Sequence, residues 1–149
     1  MNATETIFAL ALASNNNPKQ HFLYASKQLA KIGQLQFSNI YLIPCRDGVG
    51  VDYWNAACLL KSSLSVADIS VLLKNMEATS GRVRPSHQIS LDVDLIAWGG
   101  NYQTMQFNPK KLPLADDVVI PLAEIWQDER LKRITHDFIR INLSQMNSN

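Results

Sequence analysis

Two aspartates one residue apart, Asp92 and Asp94 in Leu91-Asp92-Val93-Asp94-Leu95-Ile96, and an arginine pair just upstream, Arg82 and Arg84, are the residues whose types and spacing could do chemistry. Successive side chains of a strand point to opposite faces, so Leu91, Val93 and Leu95 turn into a core while both aspartates turn away from it. Neighbouring carboxylates repel and aspartate is a poor strand residue, so such a pair needs a reason. A hard divalent cation supplies one. Magnesium takes oxygen ligands, is commonly held by one or two protein carboxylates, and fills its remaining positions with water and substrate phosphates. Arginines opposite that pair suit phosphate oxygens, so the chemistry indicated is the handling of a metal-bound polyphosphate. A merely solvated strand face carries the same short motif, and the surroundings must decide between the two.

The elements that would position these residues can be read in order. Thr6 to Leu12 is an apolar run that ends at Ser14-Asn15-Asn16-Asn17-Pro18, a buried strand entering a polar loop. Pro18 suits the first turn of a helix whose stripe of Phe22, Leu23, Leu29, Ala30 and Ile32 stops at Gly33. A second strand is predicted from Gln36 to Ile43, broken at Pro44, and a third from Tyr53 to Lys61 after the glycine-bearing loop Arg46 to Gly50. Ser65 and Asp68 open a helix with Val66, Ile69, Leu72, Leu73 and Met76 on one face, ending near Gly81. A polar loop from Arg82 to Ser90 leads to the aspartate strand, and Gly99-Gly100-Asn101 signals a tight hairpin turn. Pro113 to Pro121 reads as irregular, Leu122 to Leu143 as one or two helices, and 144–149 as a polar tail.

Strand, helix, strand, strand, helix, strand is the order of an α+β ferredoxin-like sandwich, here a βαββαβ core with an antiparallel sheet, two helices on one face and an extra C-terminal helix. The other face, with the loops at the strand ends, is where a ligand is expected. A chain of 149 residues, 46% hydrophobic and 18% charged, is read as one domain over 1–143 with a core that needs no staples. A formal net charge of +1 argues against a nucleic-acid or membrane-surface partner. The apolar run Ile7 to Ala13 is too short for a bilayer and lacks a basic flank, so a cytoplasmic location is expected. Cys45 and Cys58 form neither a disulfide framework nor a zinc motif and are read as reduced thiols, Cys58 in the core.

The order of motifs resembles the 6-hydroxymethyl-7,8-dihydropterin pyrophosphokinase family. Its first strand ends in G-S-N, here Ala13-Ser14-Asn15; a strand with Y-L-N-A is matched by Tyr53-Trp54-Asn55-Ala56. Its helix carrying a glutamate and ending in G-R-V-R is matched by Glu77 and Gly81-Arg82-Val83-Arg84, and L-D-L-D by Leu91-Asp92-Val93-Asp94. A later W-P-L-F-E-I is echoed by Ile120-Pro121-Leu122-Ala123-Glu124-Ile125, and the segment after Asp128 lies beyond the similarity. The resemblance implies ATP-dependent transfer of pyrophosphate to a pterin alcohol in folate biosynthesis. Two Mg2+ ions would be held by Asp92 and Asp94, with Arg82 and Arg84 neutralising phosphates from a mobile catalytic loop. Glu77 would line the ATP side, and Asn55, with Tyr53 beside it, would contact the pterin edge. The expected partners are small molecules alone, and a monomer is expected.

Departures from the family pattern qualify this. The loop Pro85 to Ser90 is shorter than its counterpart and lacks that loop's W-G-P-R, and no arginine or pterin-stacking phenylalanine stands between Ala115 and Val119, where Asp116 and Asp117 occur. Loss of a phosphate-binding arginine costs on the order of a thousandfold in rate. A second reading is therefore kept: a divergent homologue that binds nucleotide or a pterin-like ligand with little turnover, or that uses another acceptor. An RNA-binding ferredoxin-like domain is disfavoured by the neutral charge and the lack of exposed aromatics in an RNP-like pattern. His87 is read as a loop residue, His21 and His136 as surface residues in helical stretches, Trp98 and Trp126 as packing, and Trp54 as facing the helices.

Overall fold

The computed structural model describes residues 4–44, 51–82 and 88–142. Arg84, His87, Cys45, the 46–50 loop and the polar tail lie outside the described residues. Strand β1 (Thr6–Ser14) is central, paired antiparallel to β4 (Tyr53–Ser62) on one side and β5 (Asp92–Gly99) on the other. Beyond β4 come β2 (Gln34–Phe37) and β3 (Ile40–Ile43), then β7 (Arg140–Ile141); β6 (Gln106–Phe107) borders β5. Helices α1 (Pro18–Ala30) and α2 (Val66–Thr79) cover one face, and α3 (Asp116–Ile125) covers part of the other. This is the expected α+β ferredoxin-like arrangement with an antiparallel sheet and a third helix.

Strand alternation sorts the core into two layers. Phe8, Leu10, Leu12, Ala56, Cys58, Leu60, Leu91, Val93 and Leu95 meet Phe22, Ala25 and Leu29 of α1 and Ile69, Leu73 and Met76 of α2. Ile7, Ala9, Ala57, Leu59, Ile96 and Ala97 meet Val119 and Leu122 of α3, with Trp126 and Leu131 behind. Burial pushes the Cys58 thiol up to about 12. Trp54 faces the helices as expected, edge-on to Phe22 with centroids 6.0 Å apart.

Four local expectations are corrected. The second strand is two strands, because the pairing with β4 slips by one residue between Phe37↔Cys58 and Tyr41↔Asn55. Ser38 absorbs the extra residue: its Oγ accepts from Ala57 N at 2.8 Å and donates to the Asn39 carbonyl at 2.7 Å, in the manner of a β-bulge. The region Pro113 to Pro121 is not wholly irregular, since α3 begins at Asp116. Asp116 and Asp117 face the positive end of the helix dipole, and the burial of Val119, Ile120, Pro121 and Leu122 offsets a proline inside the helix.

The third correction concerns the stretch from Leu122 to Leu143. Helix α3 ends at Ile125, residues 126–139 hold no helix, and β7 then pairs with β3. The third helix therefore lies upstream of its expected place. His136 accordingly sits on no helix; its ring is stacked on Phe138 and edge-on to Tyr41, with centroids 5.3 and 5.4 Å apart. Finally, Gly99-Gly100-Asn101 opens the expected hairpin through a longer connection. A 3-10 turn at Tyr102–Thr104 is capped by the Asn101 carboxamide, which accepts from the backbone of Gln103 and Thr104 at 3.0 and 3.1 Å.

Candidate functional site

Register places the two aspartates. Asp92 is opposite Ala13 on β1, which is opposite Asn55 on β4, which is opposite Tyr41 on β3. One row along, Asp94 is opposite Ala11, itself opposite Ala57. Directly paired residues share a face, so Asn55, Asp92 and Asp94 all lie on the side away from α1 and α2. Between them the floor is alanine: Ala11 and Ala13 hold it low while Asp92 and Asp94 remain about a third exposed, at 29% and 35%. Asn55 is buried at 4% exposure, and its amide donates to the Tyr53 carbonyl at 3.3 Å.

Arg82 reaches this face because of how α2 ends. Ser65 caps its start by accepting from Asp68 N at 3.1 Å. At the other end Gly81 takes φ +90°, Gly81 N donates to the Ala78 carbonyl and Arg82 N to the Glu77 carbonyl, a Schellman closure that reverses the chain. The Arg82 Nε then lies 3.9 Å from Asp92 Oδ1. Ser80 Oγ and Ser90 Oγ are 2.7 Å apart, joining the end of α2 to the chain just before β5. Asn15 clasps the same region. Its carboxamide accepts from Ile89 N at 2.6 Å and its own N–H donates to the Ile89 carbonyl at 2.9 Å. Ser14 does what a turn residue does, donating to the Asn16 carbonyl.

Of the residues named from sequence, Arg82, Asp92, Asp94 and Asn55 are thus on or beside one open face. Glu77 is half-buried on α2, where its carbonyl serves the helix end. Tyr53 is half-buried opposite Ile43, one row beyond Asn55. Sequence reasoning missed Lys111, whose Nζ is 3.0 Å from Asp94 Oδ1. The signal was there as the basic pair Lys110-Lys111 after an Asn-Pro turn, but its approach to Asp94 is a tertiary fact. Beside the Tyr53 end of the face, a cleft of about 630 Å³ is lined by Ile43, Pro44, Asp117, Ile120, His136 and Phe138 among others. Asp117 is 8% exposed.

The donor set can be tested against a metal. Two carboxylates on adjacent rows of one sheet face are hard oxygen ligands and suit Mg2+ rather than zinc. Among the described residues no group of three or more His, Cys, Asp and Glu converges, so phosphate and water would complete the coordination. Such a donor set would suit a cation that arrives together with a polyphosphate.

An antiparallel sheet covered by two helices, with a D-x-D pair and an arginine on its open face, defines an α+β ferredoxin-like domain suited to phosphoryl-type transfer. The family model for 7,8-dihydro-6-hydroxymethylpterin-pyrophosphokinase (HPPK) matches residues 9–133, and the chain belongs to this family. The match extends past Asp128, where the motif likeness ended, yet stops before β7. Membership supports a pyrophosphokinase role in folate synthesis, with small-molecule substrates. No helix among the described residues is long and apolar enough to cross a membrane.

Proposed function

We propose that the protein transfers the pyrophosphoryl group of ATP to the hydroxymethyl oxygen of 6-hydroxymethyl-7,8-dihydropterin, releasing AMP. The observation that carries this is the placing of Asp92, Asp94 and Asn55 on one face with only Ala11 and Ala13 between them. Asp92 and Asp94 would hold Mg2+, which supplies charge neutralisation for the transferring phosphates and alignment of the acceptor oxygen. Arg82 binds a phosphate oxygen from beside Asp92, and Arg84 acts with it. Glu77 lines the nucleotide side. Asn55 reads the acceptor's polar edge, with Tyr53 flanking it, and the low alanine floor leaves room for the acceptor's CH2OH arm to reach the aspartates. The acceptor's hydroxyl oxygen would attack the β-phosphorus in line while the bond from that phosphorus to the oxygen bridging it to the α-phosphorus breaks. AMP leaves with that oxygen, the hydroxyl proton passes to solvent, and no covalent intermediate with the chain is needed.

The test is AMP formation from ATP and Mg2+ with and without the pterin alcohol, beside an Asp94→Asn control. Pterin-dependent AMP that falls by on the order of a hundredfold or more in the control is expected. Equal rates in the control would refute the assignment of Asp94.

A second reading is favoured by one observation, the near-buried Asp117 in the cleft beside Ile43 and Pro44, where the resemblance leads one to expect an aromatic wall. On that reading the chain binds nucleotide but serves a different acceptor, or turns over slowly. Calorimetry would then show binding of ATP with Mg2+ while the pterin alcohol elicits no AMP.

A further inference from the structure

Lys111 is placed on Asp94 by a chain of contacts that begins in the sheet. The β1–β5 pairing shifts by one residue between Ala9↔Ala97 and Leu10↔Leu95, leaving Ile96 as an extra residue in β5. Such a bulge frees carbonyls, and Asn108 takes two of them: its carboxamide Nδ2 donates to the Leu95 carbonyl at 3.0 Å and its backbone N to the Ile96 carbonyl at 2.8 Å. The same side chain caps the next turn, Asn108 Oδ1 accepting from Lys110 N at 3.1 Å, and Lys111 N donates back to the Asn108 carbonyl at 3.0 Å. The 3-10 turn Pro109–Lys111 is therefore fastened to the strand beside Asp94, and the Lys111 ammonium lands 3.0 Å from Asp94 Oδ1.

With Arg82 at Asp92, the two carboxylates each have a cation of this chain as neighbour. These two ion pairs balance each other in formal charge, which weakens their pull on a free divalent ion. A metal–nucleotide complex changes the balance, because its phosphate oxygens offer both cations new partners while the metal takes the carboxylates. We propose that Lys111 is an exchange residue: it guards Asp94 against free metal and passes to the nucleotide's phosphates when metal and nucleotide arrive together. Metal and nucleotide then bind with positive coupling, and one lysine is responsible for part of it. This rests on the reading that Asp94 is a metal ligand in a nucleotide site.

The experiment measures binding, with no turnover. Affinity for Mn2+ alone, by spin resonance of the free ion, and for α,β-methylene ATP in the presence of Mg2+, by calorimetry, are compared in the wild type, Lys111→Met and Lys111→Arg, each shown to be folded by circular dichroism. The partners are about one-third exposed, 38% for Lys111 and 35% for Asp94, so each effect is modest, about threefold to tenfold. Lys111→Met should tighten Mn2+ alone and weaken the nucleotide complex. Lys111→Arg should restore both values toward wild type. Opposite signs are the signature, since a residue that merely supported the turn would weaken both. Changes of the same sign, or none in either, overturn the proposal while leaving the proposed function standing if the wild type binds the analogue. Failure of the wild type to bind the analogue with Mg2+ would remove the functional reading itself and this inference with it.

Discussion

On the proposed reading Asp94 binds a lysine and would also serve a metal; at the residue scale its carboxylate is one-third exposed, so the ion pair with Lys111 is exchangeable. Ala13 is as telling as the charged groups. It stands directly between Asn55 and Asp92, and a larger side chain there would rise into the gap that the acceptor's arm would cross on the proposed reading. Ala13→Leu should keep the fold, because the added atoms point out of the sheet on the open face, yet cut pterin-dependent AMP formation about a hundredfold through displacement of the acceptor. Unchanged kinetics in that variant would mean that the acceptor approaches by another route.

The end of α2 is the element that aims Arg82, and it depends on Gly81. A Cβ at this position meets nothing within 4 Å among the described residues, so the penalty of an alanine there is conformational, from φ +90°. Gly81→Ala should therefore cost about 1 kcal/mol in urea unfolding. If the Schellman closure positions Arg82, affinity for ATP with Mg2+ should fall as well, beyond any effect of stability at a temperature where the variant is fully folded. A variant that loses stability but binds nucleotide as before would separate the helix end from the phosphate site. The Ser38 bulge plays the matching part in the sheet, since it turns Tyr41 and Ile43 to the α3 side while Ile40 stays with the α1–α2 core.

Over the whole molecule, the chain beyond α3 closes the structure. Glu124 accepts from Tyr41 Oη at 2.5 Å and from Asn39 N at 3.0 Å, tying α3 to β3, and β7 then covers the β3 edge. Residues 134–142 lie outside the family match but pack Ile134, Phe138 and Ile141 against the cores. Ending the chain after Arg133 should lower unfolding free energy by roughly 3 kcal/mol, the worth of three partly buried apolar side chains. Equal denaturation midpoints would show the strap to be dispensable.

A second global expectation concerns alkali. Burial, and then the bond to Glu124, push the Tyr41 hydroxyl from 10.0 to about 12, and burial pushes the Cys58 thiol from 9.0 to about 12. Both groups are held protonated in the fold at pH values where the unfolded chain ionises. Their contribution is thus complete below pH 9 and is lost as pH rises from 9 toward 12. The urea midpoint should drop between pH 8 and pH 11, and by less in Cys58→Ala; equal drops would deny Cys58 its share.

What the sequence by itself determined were the features fixed by near neighbours in the chain: the strand period of Leu91 to Ile96, the capped start of α2 at Ser65, its glycine stop, and the projection of both aspartates to one face. These are consequences of backbone geometry over a few residues. Local signals misplaced α3, because Pro121 reads as a break until the burial of its neighbours is known, and they joined β2 to β3, because a bulge is defined only by the partner strand. Tertiary structure alone decided that Ala13 separates Asn55 from Asp92, that Asn15 clasps Ile89, and that Lys111 comes to rest on Asp94. Each of these joins residues brought together by strand pairing or by a turn anchored on a neighbouring strand, and register, which no single segment carries, sets which of them meet.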